Sequence, residues 1–200
     1  MSIQSEVSKS EALAEWLTVR IDGLVIPSPE RCRVAAGCFD MVLEFHAAIV
    51  LLTKNSLFGA AAALVRSLFE AHVRGIWFLF CASDAELEAF KDDKMERNFG
   101  DLIREIEEIE TYSEGIFSDV KKKSWRIMNS FTHTGYYQVV RRNTENEIRP
   151  DYKESEILDA LSTANSFAIL TGVEIANMAK NSSLTEEIAD HGNQYFKGTL

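Results

Sequence analysis

The chain has 200 residues, of which 46% are hydrophobic, and its net charge is −10. The apolar fraction excludes a disordered chain, and this length suits one domain with a sizeable core, so we expect a single domain over residues 1–200. The negative charge argues against a surface that binds nucleic acid generally. Because the chain has only three prolines and ten glycines, long helices are favoured.

Apolar residues recur at helical spacing along most of the chain. The first helix is predicted over Ser5–Leu24 and the second over Glu30–Lys54. A third is predicted over Ser56–Cys81, after a turn near Asn55. Because that turn is short, the second and third helices should form an antiparallel hairpin.

The third helix is apolar nearly all round, which indicates a helix inside the protein. Three charged residues lie along one of its faces, four positions apart. With a turn near residue 55, Glu44 should face Arg66, and Asp40 should face Glu70. We therefore predict a buried charged cluster of Asp40, Glu44, Arg66, Glu70 and Arg74. This cluster is either a structural ion-pair network or a ligand site, and its charges fit a bundle interior better than a membrane.

The second half of the chain continues the helical pattern. Its predicted helices are Ser83–Lys94, one beginning at Asn98 or Phe99, Phe117–Ser130, and Glu154–Asn181. Residues 132–153 form the longest irregular region, helical in part around Tyr137–Arg142. From Ser182 we expect a short helix and a frayed end. The predicted fold is all-α, an up-down bundle of about five main helices with two or three shorter ones.

Neither histidine of the hairpin is placed to chelate a metal ion with its neighbouring glutamate. Glu44 and His46, and likewise Glu70 and His72, are two residues apart, so their side chains point in different directions on a helix. We expect no metal site and no cofactor. The three cysteines include no CxxC pair, and the N-terminal segment lacks the apolar core of a signal peptide, so we predict a cytoplasmic protein with reduced thiols.

An arginine and a histidine late in the chain have a spacing that suits phosphodiester chemistry. Arg126 and His133 are seven positions apart, close to two turns, and project from one face if the helix continues that far. The histidine can move the proton of a ribose 2′-hydroxyl, while the arginine neutralises the phosphate. Asn129 lies one turn before His133 and can bond the phosphate or orient the imidazole. The competing interpretation is that His133 caps the helix.

Basic residues are concentrated in the same part of the chain. Residues 121–153 contain eight basic and three acidic residues, a local charge of +5. The window could attract RNA through its lysines and arginines, with tyrosines stacking on bases, or it could be a solvated basic face. The candidate RNA-binding residues are Lys122, Lys123, Tyr137, Arg141 and Arg142.

The Arg-x6-His spacing in an all-helical chain resembles the HEPN superfamily of small helical bundles. The segments RSLFEAHVRGIW and NSFTHTG also look like a group of uncharacterised bacterial proteins distantly akin to it. The resemblance implies a metal-independent ribonuclease of a toxin or phage-defence system that acts as a homodimer. It implies Arg126 and His133 as the catalytic pair and Asn129 as a helper.

Two other functions fit the sequence. A non-catalytic helical module would keep the fold and use its surface to bind a partner protein. A binder of a small ligand or nucleotide would have Arg66, Glu70 and Arg74 lining its pocket. We expect no association with a membrane in any of the three cases.

Overall fold

The computed structural model describes residues 2–198 and is all-helical, without a strand in that range. Two short 3₁₀ turns, at Glu110–Tyr112 and Val140–Arg142, join the helices. The α-helices are α1 (Ile3–Ile21), α2 (Glu30–Lys54), α3 (Phe58–Phe80), α4 (Asp84–Lys91), α5 (Phe99–Glu107), α6 (Ile116–Thr132), α7 (Tyr136–Val139), α8 (Glu154–Met178) and α9 (Ser182–Lys197). The prediction of an all-α fold is confirmed.

The hairpin of α2 and α3 forms the centre of the protein, as predicted. Eleven of the 23 residues of α3 are buried, against eight of the 25 residues of α2, so α3 is the more enclosed helix. Phe39 of α2 packs directly on the backbone of α3 at Gly75. A Cβ atom at Gly75 would lie 2.4 Å from Cε1 of Phe39, so only glycine permits this close approach.

Helices α5, α6 and α8 pack around α3 and complete the main core. The large side chains of this core are mostly on α3 itself, notably Phe69, Trp77 and Phe78, all fully buried. The indole nitrogen of Trp77 donates to Glu105 at 2.7 Å, which satisfies the one polar atom of that ring. Burial of these three aromatic side chains makes α3 the main source of hydrophobic stabilisation.

A second, smaller core lies between α1, α8 and α9. Helix α9 is a full helix of 16 residues, so the expectation of a short helix is wrong. The last two residues of the predicted frayed end lie outside the described residues. Leu184, Ile188 and Tyr195 are buried along one face of it, and Gly192 lies between them, close to Ile169. This helical spacing of large apolar residues holds α9 on the bundle. The many polar residues on the outer face of α9 made the apolar pattern difficult to recognise in the sequence.

A half-buried carboxyl group joins α8 to the turn before α6. The hydroxyl of Tyr112 donates to Glu174 Oε1 at 2.9 Å, and burial raises the pKa of Glu174. A carboxyl group whose pKa is higher in the folded than in the unfolded protein stabilises the fold at pH values below its unfolded pKa. That stabilisation is lost as the pH rises through the folded pKa, so ionised Glu174 is unfavourable near neutrality.

We expect Glu174→Gln to raise the melting temperature at pH 8, with a smaller gain at pH 4.5. Glutamine keeps an acceptor for Tyr112 and removes the charge whose burial is unfavourable. Thermal melts at the two pH values measure this, with the exposed Glu186→Gln as control. A gain that is equal at both pH values would contradict the expectation.

Helix α2 is long and apolar enough to cross a membrane, by length and composition alone. In this structure it is the outer member of the hairpin. It packs eight buried residues against its neighbours and exposes charged side chains, including Asp40 and Glu44, on the other side. The core helix of a soluble protein has the same length and composition, so the observation decides nothing about location.

Candidate functional site

One arginine of the central helix contacts three functional groups from two helices. Arg66 donates from Nε to Glu70 Oε1 at 2.8 Å and from Nη1 to His133 Nε2 at 2.6 Å. Its guanidinium carbon lies 4.7 Å from the ring centre of Trp125. We refer to Arg66, Glu70, Trp125 and His133 as the Arg66 cluster. It joins the charged face of α3 to the arginine–histidine motif of α6, which the sequence analysis treated as separate candidates.

Helix geometry positions the α3 side of the cluster. Arg66 and Glu70 are four residues apart, so their side chains meet on one face of α3. The indole of Trp125 supports the guanidinium plane, which is a favourable cation–π arrangement. Phe99 of α5 stacks on the same indole, with ring centres 4.9 Å apart and planes inclined by 11°. Arg66 is therefore held in a fixed orientation before any ligand binds.

The end of α6 positions His133. Thr132 is the last residue of α6, and its hydroxyl shares its one proton between the carbonyl oxygen of Met128 in the same helix, at 3.0 Å, and that of Ala63 in α3, at 3.2 Å. This contact brings the end of α6 against α3. His133 follows as the C-cap residue, with its backbone N–H bonded to Asn129. Thr134 then adopts a positive φ of 54°, which turns the chain away. The imidazole thus lies beside α3 and within reach of Arg66.

The cluster has hydrogen-bonding capacity left for a ligand. Because a guanidinium has only donors, His133 Nε2 accepts from Arg66, and the imidazole proton is on Nδ1. His133 is exposed, and the Arg66 side chain keeps 21% of its accessible surface. Within residues 2–198, Nη2 of Arg66 has no hydrogen-bond partner. The Nδ1–H group of the exposed imidazole and the free guanidinium edge are donors suited to binding a phosphate ester, and Nε2 becomes available as a base once Arg66 moves off it.

The predicted Arg126–His133 pair does not come together in the part of the chain described. Arg126 is exposed and donates from Nη2 to the hydroxyl of Tyr137 at 2.8 Å, with its guanidinium over that ring. His133 bonds to Arg66 instead. The reason is that α6 ends at Thr132, so the seven-residue helical offset between the two side chains no longer applies at His133. His133 does occupy the capping position that was the competing interpretation.

Asn129, the predicted helper, lies one turn before His133 and is half-buried. Its Oδ1 is buried and has no hydrogen-bond partner among the residues that the structure describes. A buried amide oxygen without a partner is unfavourable, so this atom is available to a ligand or a rearranged neighbour.

Some basic side chains of residues 121–153 are exposed and available to a ligand, whereas others are already paired with acidic residues. Lys122 and Arg142 are exposed, and Lys123 is exposed with a long ion pair of 3.5 Å to Asp119. Arg141 is committed, since it makes a two-pronged ion pair with Glu156, with Nε to Oε2 at 2.6 Å. The hydrogen bond from Arg141 lowers the pKa of Glu156.

The predicted buried cluster of five charged residues is wrong. Asp40 and Glu44 are exposed, and they form no ion pair with α3 in the described structure. Glu70 bonds only to Arg66 among these residues. Arg74 is half-buried near Cys38, a thiol whose pKa burial raises to about 11.

Two differences between the predicted and the observed hairpin explain why the charged cluster does not form. Phe39 packs at Gly75, so residues at the same level of the hairpin sum to 114 rather than the expected 110. The buried face of α2 also passes through His46 and Thr53, which places Asp40 and Glu44 on the solvent side. The predicted pairing of Asp40 and Glu44 with α3 was therefore wrong both in the register of the hairpin and in the direction of the two side chains.

We expect Glu70→Gln to lower the free energy of unfolding by about 1 kcal/mol, because the pair it breaks is an i,i+4 pair and is partly solvated. The Glu70 side chain keeps 24% of its accessible surface. Urea unfolding measures this, with Glu88→Gln, which breaks the exposed pair with Lys91, as the matched control. A loss of 3 kcal/mol or more, of the size typical for a broken buried pair (about 3–5 kcal/mol), would mean that Glu70 is a buried ion-pair partner after all.

No group of three or more histidine, cysteine, aspartate or glutamate side chains within residues 2–198 could hold a metal ion. The three cysteines of the chain are free thiols.

Fold and site together define a helical protein with a surface arginine–histidine cluster next to its central hairpin. The chain belongs to a family of unknown function, DUF6988, which matches residues 39–199. The matched range includes all four members of the Arg66 cluster. The comparisons with curated proteins and with solved structures gave no match.

Proposed function

We propose that this protein is a HEPN-like, metal-independent ribonuclease in which His133 acts on the ribose and Arg66 on the phosphate. The observation that carries the proposal is the 2.6 Å contact between the exposed imidazole of His133 and the guanidinium of Arg66. Such a pair combines a proton acceptor with a charge that neutralises a phosphate, which is the combination that cleavage of RNA needs.

The proposed reaction uses the 2′-hydroxyl of the substrate as nucleophile. As the phosphate draws Nη1 of Arg66 away from His133, the freed Nε2 takes the 2′ proton. The 2′-oxygen attacks the adjacent phosphorus, and the bond to the 5′-oxygen breaks, with water supplying the proton to that oxygen. Arg66 binds a non-bridging phosphate oxygen through Nη2. Because Glu70 bonds to Nε and Trp125 supports the face of the guanidinium, only the Nη1 contact to His133 has to change as charge develops.

Other predicted residues have secondary roles in this proposal. Arg126 is retained as a second phosphate-binding arginine, since it is exposed and only one of its nitrogens is bonded to Tyr137. Asn129 is retained as the helper because its Oδ1 has no partner within residues 2–198. Lys122, Lys123 and Arg142 would attract the RNA backbone, whereas Arg141 is left out because Glu156 neutralises it.

The resemblance extends this proposal to architecture and setting. We propose an up-down bundle of five main helices, a homodimer as the active form, and a cytoplasmic role in a bacterial toxin or phage-defence system. Free thiols at Cys32, Cys38 and Cys81 suit a reducing compartment.

The second candidate is a non-catalytic module that binds a partner protein. It is favoured by apolar side chains that remain exposed in the segment after α6. Tyr136 is 77% exposed and Ile148 is 95% exposed, and Val139 and Val140 between them are also open to solvent. Apolar residues concentrated on one exposed segment are typical of an interaction surface.

The test is cleavage of a mixed single-stranded RNA pool in EDTA by the wild type and by His133→Ala. Cleavage that is lost in a folded variant would support the ribonuclease. Equal cleavage by both proteins would exclude His133 as the reacting group. The absence of cleavage by either would favour the interaction module.

A further inference from the structure

A half-enclosed cavity of about 260 Å³ lies between α3, α6 and α8. The segment containing Tyr137, Arg141 and Tyr152 covers one side of it. None of the four residues of the Arg66 cluster lines this cavity. The cavity is therefore distinct from the Arg66 cluster, although Tyr137 of its lining accepts a hydrogen bond from Arg126.

The walls of the cavity are mostly apolar. Val65, Met128, Phe131 and Ile157 are buried side chains that line it from three helices. Phe58 closes one end and makes an edge contact with the ring of Tyr152, at 5.8 Å between centres. Small-molecule sites in proteins are typically concave and apolar, with a few polar groups that fix the orientation of the ligand. The volume of this cavity suits a ligand of about one ring.

One polar group of the cavity is unsatisfied. The hydroxyl of Tyr152 is buried and has no hydrogen-bond partner in the described chain. By contrast, the hydroxyls of Thr53 and Thr163, which also line the cavity, each donate to a carbonyl four residues earlier in their own helix. A buried hydroxyl without a partner is unfavourable, so a ligand atom that bonds to it would restore the lost interaction.

A glycine makes room for this hydroxyl. A Cβ atom at Gly59 would lie 2.5 Å from the Tyr152 oxygen, so the phenol sits against the bare backbone of the first turn of α3. The hydroxyl is therefore held in place by packing rather than by a hydrogen bond.

The two partly buried charged groups at the cavity neutralise each other, and the other charged residue of the lining, Asp159, is exposed to solvent. Arg141 is paired with Glu156, and the hydroxyl of Tyr137 accepts from Arg126. No cation of the lining is left for an anionic ligand in the described structure. A cationic ligand would meet only the exposed, solvent-screened Asp159 unless it competed with Arg141 for Glu156. The cavity thus favours an uncharged molecule.

We propose that this cavity binds an uncharged, mostly apolar small molecule whose single oxygen or nitrogen atom hydrogen-bonds to the Tyr152 hydroxyl. The apolar part of the molecule contacts Val65, Met128 and Ile157, and the polar atom points toward the first turn of α3.

Three probes of similar size test the proposal: benzyl alcohol, toluene and benzoate, each titrated into the full chain by isothermal calorimetry or by amide chemical shifts. Benzyl alcohol should bind with a dissociation constant of about 1 mM, as expected for so small a ligand. Toluene should bind about threefold to tenfold more weakly, because it cannot bond to Tyr152. Benzoate should not bind at concentrations at which benzyl alcohol saturates.

Two variants separate the cavity from non-specific binding. Tyr152→Phe should remove the difference between benzyl alcohol and toluene without lowering the melting temperature, since it deletes an unsatisfied hydroxyl. Ala62→Leu, which fills the cavity, should weaken both probes at least tenfold, while the exposed Ala60→Leu on the same helix should leave them unchanged. If Ala62→Leu does not fold, Thr163→Leu serves as the filling variant.

The proposal would be overturned if none of the probes bound saturably in the millimolar range. It would also be overturned if the filling variant bound benzyl alcohol as the wild type does, or if Tyr152→Phe kept the preference for the alcohol.

Discussion

His133→Ala should lower the rate of RNA cleavage in EDTA by about 10²–10⁴-fold, the usual contribution of a positioned acid–base group. The imidazole is exposed and lies outside the core, so the variant should fold normally. The rate is measured on a single-stranded RNA pool with matched protein concentrations, and folding is checked by circular dichroism. The products should end in a 2′,3′-cyclic phosphate, because the proposed nucleophile is the 2′-oxygen of the substrate.

Another histidine of the chain provides the control. His191 of α9 is half-buried and stacks on Trp16, with ring centres 3.8 Å apart, and it has no contact with the Arg66 cluster. His191→Ala should therefore cleave RNA at the wild-type rate. A loss of activity in both variants would indicate an effect on stability, and activity unchanged in His133→Ala would contradict the proposed role of the imidazole.

Arginine-to-lysine substitutions separate the two arginines. Arg66→Lys keeps the positive charge but loses the fork that bonds Glu70 and His133 together, so activity should fall about 10²–10³-fold. Arg126→Lys keeps a charge at an exposed position and should lower activity only several-fold. The reverse order of effects would mean that the pair implied by the resemblance, Arg126 with His133, assembles in the active form.

The hairpin could be predicted from the sequence because its signals are local. Glu30–Lys54 was predicted with the bounds that α2 has in the structure, and α3 differs by one or two residues at each end. A continuous apolar segment between two helix breaks requires burial whatever its neighbours are. The pairing of charges across the hairpin could not be predicted, since it depends on which face of α2 meets α3 as well as on a register sum that differs by four from the expected value.

The candidate site was predicted as two separate sets of residues. Arg66 was singled out for its place on α3 and His133 for its spacing from Arg126, yet 67 positions separate Arg66 from His133. No helical period relates residues that far apart. Their contact depends on where α6 ends and on how Thr132 ties that end to Ala63, which are tertiary details.

A polar network inside the second core had no signal in the sequence. Asn165 of α8 is fully buried and bonds from Oδ1 to His46 Nε2 at 2.8 Å. Its Nδ2 lies 2.9 Å from Ser10 Oγ and 2.8 Å from the Tyr195 hydroxyl, which in turn donates to the buried Glu6. Burial lowers the pKa of His46, so the neutral imidazole donates its proton to Asn165. The network joins α1, α2, α8 and α9 around one amide.

Asn165→Ala should lower the free energy of unfolding by about 3–5 kcal/mol, because it leaves several polar groups inside the core without their partner. His46 loses its acceptor, and the side-chain oxygens of Ser10, Tyr195 and Glu6 lose the amide group that donates to them. The melting temperature should fall by roughly 6–20 °C for a chain of this size. Asn177→Ala on the same helix is the matched control, since Asn177 is exposed and its one side-chain bond is to Thr185 at 2.9 Å. Urea unfolding of the two variants measures the difference. A loss near 1 kcal/mol in both would mean that water replaces the Asn165 amide, and that α1 and α9 are held to α8 by their apolar contacts alone.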